Sequence, residues 1–156
     1  MTPAICVEPL YPGLETEEKI ARVAAAGFRH VEFWSWRDKN IPAVREVCRK
    51  HGVRVVNFSC HRAGSLVANE THSDLFADAQ DAVTTARALD CQTLMLLTNA
   101  LNSDGSVANE FAEISDEVKF KSTVAASREL ISRVPEDITL VLEPLNTIVD
   151  HPGLFS

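Results

Sequence analysis

The sequence predicts a parallel α/β sheet made of repeated βα units, and three observations carry that reading. Apolar runs of strand length alternate with segments of helical period from one end of the chain to the other. Glycines stand where helices should stop, at Gly27 and Gly52, each followed directly by an apolar run. No low-complexity tract and no Pro- or Gly-rich linker interrupts the series, so residues 1–156 read as one domain. With 46% hydrophobic and 24% charged residues, the chain can bury one sizeable core.

The first strand is expected over Ala4 to Leu10, followed after Tyr11-Pro-Gly13 by a helix from about Thr16. Thr16 is a suitable N-cap because its hydroxyl can accept a free backbone N–H, and acidic residues follow it. Ile20, Val23 and Ala24 share one face of that helix. Phe28 to Trp34 reads as the second strand, Ile41 to His51 as the second helix with Val44 and Val47 inward, and Val53 to Cys60 as a β-branched third strand. Asp74 to Leu89 presents Phe76, Ala79, Val83, Ala86 and Leu89 at helical spacing. Thr93 to Leu97 is the fourth strand, Asp116 to Ser132 the fourth helix and Ile138 to Leu142 the fifth strand. The connection Thr98 to Ser115 is long for a βα loop, which implies either a functional or a partly mobile segment.

Composition excludes several functions. A net charge of −7 with 15 basic residues scattered along the chain opposes a nucleic-acid surface, which needs clustered Lys and Arg. No apolar run is long enough to span a bilayer, and the N-terminus lacks the pattern of a secretory signal, so a cytoplasmic protein without a membrane partner is expected. Cys6, Cys48, Cys60 and Cys91 form no C-x-x-C pair and read as buried, reduced thiols. Cys60, beside His61 at a strand end, keeps an alternative reading as an activated thiolate.

In parallel βα architectures ligand chemistry gathers at the carboxyl ends of the strands. Those ends carry Glu8 and Tyr11, Glu32 with Trp34 and Trp36, His61 and Arg62, Thr98 and Asn99, then Glu143 and Asn146. Tryptophans in such positions are more often packing residues than covers for a substrate's apolar face, and Glu32 is equally suited to pairing with a basic neighbour. His61 follows an apolar strand and precedes Arg62-Ala-Gly64-Ser65, a loop able to approach an anionic or polyhydroxyl ligand. His30, His51 and His72 are explained by capping or solvation. Glu143 stands apart, because an ionised carboxylate ending Ile138-Thr-Leu-Val-Leu142 is costly unless it is paired or bound to a cation. A nearby metal would keep it ionised as a ligand, whereas partial desolvation without metal would raise its pKa toward that of a general base.

Leu142-Glu-Pro-Leu-Asn146 with Val149-Asp-His-Pro-Gly153, together with Gly27-Phe-Arg-His-Val-Glu-Phe-Trp34 and Arg37-Asp-Lys39, resembles the hydroxypyruvate isomerase branch of the xylose-isomerase-like sugar isomerases and epimerases. The resemblance implies a partial TIM barrel of about five strands and four helices, missing the last three βα units, since a complete barrel takes about 250 residues. It implies metal-assisted aldose-ketose proton transfer on a small hydroxy-carbonyl substrate, with Glu143 as metal ligand and acid/base. It further implies a divalent metal, Mg or Mn, and a substrate pocket formed by His61, Asn146, His151 and Trp34. The family's remaining ligands and its second catalytic glutamate have no counterpart before Ser156, so the chain alone is expected to bind metal weakly and to be weakly active or inactive.

Two other readings follow from the same residues. An open five-stranded sheet leaves its first and last strands unpaired, which points to a non-catalytic, self-associating half-barrel scaffold, a homo-oligomer, or a reorganised sheet with a helix over its inner face. The related apurinic endonuclease branch uses several histidines around zinc. Here Asn99 stands where a histidine would be expected, and the acidic balance is wrong for DNA.

Overall fold

Five strands, β1 (Ile5–Cys6), β2 (His30–Glu32), β3 (Arg54–Ser59), β4 (Thr93–Leu97) and β5 (Thr139–Glu143), pair in chain order, every pair parallel. The helices α1 (Thr16–Ala25), α2 (Ile41–His51), α3 (His72–Ala88) and α4 (Asp116–Arg133) connect them. This computed structural model describes residues 2–148 and 151. The sequential parallel order with a helix in each connection is that of a TIM barrel opened after its fifth strand. Among the described residues β1 pairs only with β2 and β5 only with β4, and the sheet keeps chain order rather than reorganising.

Local chemistry explains where the elements begin and end. The α2 helix starts at Asn40, whose Oδ1 accepts the Ala43 N–H at 3.3 Å, and Pro42 sits in the first turn, where its missing N–H is not needed. It ends at Gly52, φ +64°, whose N–H returns to the Cys48 carbonyl. The α1 helix differs from expectation by one position. Glu15 occupies the cap without a side-chain bond, and Thr16 is the first helical residue, followed by Glu17 and Glu18 at the positive end of the helix dipole.

The strands β1 and β2 are shorter than the apolar runs that contain them. After Cys6 the chain turns, with the Leu10 N–H donating to the Val7 carbonyl at 3.2 Å, and β2 shifts register between Val31 and Glu32 to bring Glu32 opposite Asn57. The partnership of β4 and β5 is uninterrupted from Thr93 beside Thr139 to Leu97 beside Glu143.

The core lies between one face of the sheet and the helices. Val7, Val31, Phe33, Val55, Phe58, Cys60, Leu94 and Leu96 meet Ile20, Val44, Leu75, Ala82 and Leu130, and the Phe33 and Phe58 rings stack at 5.3 Å. The long segment after β4 is built, not loose. Leu101 bridges Val107, the Asn102 N–H donates to the Ser106 carbonyl at 2.8 Å, and Phe111 packs on Val67 and Ala68.

Gly64 shows how tightly the β3–α3 loop is packed. Its φ is +68°, and an added Cβ would lie within 2.6 Å of the Thr71 carbonyl oxygen and closer still to the Leu75 backbone nitrogen. Gly52 has a similar φ with open space around it. Gly52→Ala is therefore expected to cost about 1 kcal/mol, the left-handed penalty alone, and Gly64→Ala at least about 3 kcal/mol by adding a backbone clash. Urea midpoints with unchanged m-values measure both, and equal losses would refute the packing argument.

Candidate functional site

Side chains alternate along each strand, so every residue sent into the core is followed by one sent to the opposite face. Val31 and Phe33 take the core side of β2, Phe58 and Cys60 that of β3, and Leu94 and Leu96 that of β4. Glu32, Trp34, Ser59, Met95, Leu97 and Glu143 then fall on the other face, the inner wall of the barrel. A cleft of about 680 Å³ opens on that wall, lined by Trp34, Ser59, Met95, Leu97 and Glu143 from the sheet. Arg62, Asn146, His151 and the turn Asp104 to Ser106 close its sides.

Glu143 lines the cleft as an exposed residue, and its pKa is raised, first by partial desolvation and second by the Glu32 carboxylate. The strand order produces this coupling by bringing two inward acids onto one wall. Asn146 lines the same cleft, accepting the Ile148 N–H on Oδ1 at 3.1 Å and the His151 N–H on its carbonyl at 2.8 Å. Trp34 is 42% exposed across the cleft, whereas Trp36 is packed in the core. Thus Trp34, Glu143, Asn146 and His151 come together. The rest of the motif Val149 to Gly153 lies outside the described residues.

His61 is placed differently. It is 1% exposed, and its Nε2 lies 3.0 Å from the Leu97 carbonyl, an acceptor, so Nε2 carries the hydrogen. Burial lowers its pKa and favours the neutral ring. It ties the end of β3 to the end of β4 and does not line the cleft. Cys60 is fully buried, and burial, with Asp78 adding to it, pushes its thiol up to about 12, which removes the activated-thiolate reading.

Two ion pairs hold the rim. The Lys39 ammonium, buried beneath it, lies 2.6 Å from Glu8 Oε1, which also accepts the Trp34 N–H at 3.2 Å. Asp78, 2% exposed, accepts the backbone N–H groups of Arg62 and Ala63 and pairs with the Arg37 guanidinium. Reading the strand ends missed Asp78, while Lys39 entered only within the motif Arg37-Asp-Lys39. A signal for Asp78 was present, because it falls on the apolar face of α3 among Leu75, Ala79 and Ala82, where a carboxylate requires partners.

The expected divalent metal finds no donor set here. Among the described residues no group of three or more His, Cys, Asp or Glu gathers, and Glu143 has Glu32 as its acidic neighbour without a third ligand. Nor is any helix among them long and apolar enough to cross a membrane.

Comparison with known proteins agrees with the fold. Residues 20–154 match the profile of the xylose isomerase-like TIM barrel family. A family 2 AP endonuclease from Brucella melitensis superposes with a TM-score of 0.78 at 21% identity, over 94% of this chain and 57% of that one. A D-psicose 3-epimerase solved in the presence of D-fructose gives 0.74 at 14% identity, over 99% and 55%. The IolI protein with a bound zinc atom gives 0.71 at 13% identity, over 93% and 52%. The chain spans about half the length of these structures, and at these identities the likeness carries the fold. No curated protein matches in sequence.

The raised pKa of Glu143 has a consequence for stability. The folded state holds this proton more tightly than the unfolded chain, so the group's favourable contribution is complete below the unfolded pKa and is lost as pH rises through the folded one. Glu143→Gln is expected to raise the melting temperature at pH 7, with the gain vanishing below about pH 4, where an ordinary glutamate is protonated. A lower melting temperature at pH 7 would contradict this electrostatic picture.

Proposed function

The chain belongs to the xylose isomerase-like TIM barrel family, and on that premise we propose that its inner cleft performs sugar isomerase-type proton transfer on a short hydroxy-carbonyl compound such as hydroxypyruvate. The observation that carries the proposal is the Glu143 carboxylate lining the cleft, with its pKa raised by partial desolvation and by Glu32.

Such transfer needs a carboxylate to take and return the carbon-bound proton and donors to hold the charge that develops on oxygen. Glu143 takes the proton from the hydroxyl-bearing carbon beside the carbonyl, and the electron pair of that C–H bond moves into an enediolate. The same carboxyl returns the proton to the neighbouring carbon while a proton passes between the two oxygens, so atoms and charge balance. Asn146 and His151 line the cleft where side-chain donors would meet the enediolate oxygens. The Mg or Mn implied by the resemblance lacks its ligands among the described residues, so no step is assigned to it.

A second reading has its own support. Phe120 and Ile131 on α4 are 59% and 67% exposed, and Leu142 on the β5 edge is 54% exposed, apolar surface suited to a second copy of the chain. In that reading the protein is a self-associating scaffold.

Deuterium incorporation at the hydroxymethyl carbon of hydroxypyruvate in D₂O, followed by proton NMR against a buffer blank, separates the two. Protein-dependent exchange that Glu143→Gln reduces about 100-fold or more is expected for the proton-transfer function. Exchange no faster than the blank, with a mass that doubles on concentration in sedimentation, would favour the scaffold.

A further inference from the structure

Arg62 is the one basic side chain, lysine or arginine, among the described residues lining the main cleft, and it also lines a second cleft of about 330 Å³ beside Glu8 and Trp34. Its surroundings set it apart from the other cations at this end of the sheet. Arg37 is neutralised by Asp78 and Asp81, and Lys39 by Glu8 and Asp38. Arg62 has no carboxylate within ion-pair range among the described residues, although it is half-buried. One terminal nitrogen donates to the Leu101 carbonyl at 2.8 Å and the Asn102 carbonyl at 3.1 Å. A guanidinium has five N–H donors in a planar fork, so the remaining edge keeps a geometry that matches a carboxylate.

The position of Arg62 is fixed from both ends. The buried Asp78 carboxylate accepts the Arg62 and Ala63 backbone N–H groups, anchoring the main chain to α3, and the two carbonyls hold the guanidinium against the β4–α4 loop. Such anchoring lowers the entropy lost when a ligand is held. Asp38, Glu8 and Asp78 act on the guanidinium from beyond ion-pair range, yet burial still opposes its charge, and a bound anion in direct contact would offset that cost.

We propose that Arg62 is the anion anchor of the site, binding the acid group of a short hydroxy-carbonyl acid and thereby selecting acids over neutral sugars of the same length. The inference rests on the proton-transfer reading, since it takes the reacting carbon to lie at Glu143 on the same cleft. A ligand spanning the two would bring its carboxylate to the guanidinium and its hydroxyl-bearing carbon to the base. The acids nearest Arg62 are already engaged: Glu8 and Asp38 with Lys39, Asp78 with Arg37, and Asp104 with the Ser106 amide and hydroxyl. These pairings leave Arg62 as the lysine or arginine of the cleft, among the described residues, whose guanidinium is not held by a carboxylate within ion-pair range.

Glycerate and glycerol test the proposal directly, because both have the right length and neither has a carbonyl to react. Titrations followed by amide chemical shifts are expected to show saturable glycerate binding to the wild-type chain, with glycerol at least about tenfold weaker. Arg62→Gln, which keeps an N–H donor for the Leu101 carbonyl, is expected to weaken glycerate about tenfold or more, and Arg62→Lys to restore part of the loss. Glu143→Gln should leave glycerate binding within about threefold while abolishing proton exchange, so failure of the anchor and failure of the base are read separately. Equal binding of glycerate and glycerol by the wild type, no saturable glycerate binding, or unchanged glycerate affinity in a folded Arg62→Gln would each overturn the proposal. The wild-type comparison decides the question even where a variant does not fold.

Discussion

The structure depends on one constraint: five parallel strands must each present one face to the helices and the other to the barrel interior. A strand cannot send two successive side chains the same way without breaking its register. Once Val31, Phe58, Leu94 and Leu96 are committed to the helix-covered side, their neighbours Glu32, Ser59, Met95 and Leu97 are committed to the inner wall. The hydrophobic side supplies the stabilising burial. The inner side is thereby left for polar groups, and carboxylates that would be intolerable in the core stand there at the edge of solvent.

Connections between the strand ends and the helices give the cleft its definition. The buried Asp78 of α3 binds the chain as it leaves β3, and Arg62, leaving the same point, binds the loop that follows β4. His61 joins the same two strands through the Leu97 carbonyl. These bonds link two consecutive βα units, those of β3 and β4, beside the strand end where Glu143 stands. The apolar margin of α4 and the edge of β5 remain without such partners among the described residues, on the side where a complete barrel would continue.

Much of this was legible in the sequence, for identifiable reasons. The end of α2 was readable because Gly52 stops the helix, and β4 was read to the residue as a short apolar run. The strands β1 and β2 were over-extended, since hydrophobicity reports burial while strand ends are set by pairing, and Val7 and Phe33 are buried beyond the paired segments. The apolar run that Glu143 ends identified it as a strand-end acid, but its electrostatic neighbour Glu32 lies three strands away and becomes a partner only through the fold. His61 looked like a ligand-facing residue because it ends an apolar strand. Its direction was decided by an acceptor on the adjacent strand, which no local pattern reveals. Asp78 was the reverse case, a charge on an apolar helix face whose need for partners is visible without coordinates.

Glu143 and Glu32 share one inner wall, where partial desolvation and the Glu32 charge raise the Glu143 pKa from its usual value. Titrating the side-chain carboxyl carbon of Glu143 by carbon-13 NMR, in the wild type and in Glu32→Gln, tests it most directly. The account requires a raised pKa that falls toward the ordinary value when the Glu32 charge is removed. An ordinary Glu143 titration, unchanged by Glu32→Gln, would contradict it.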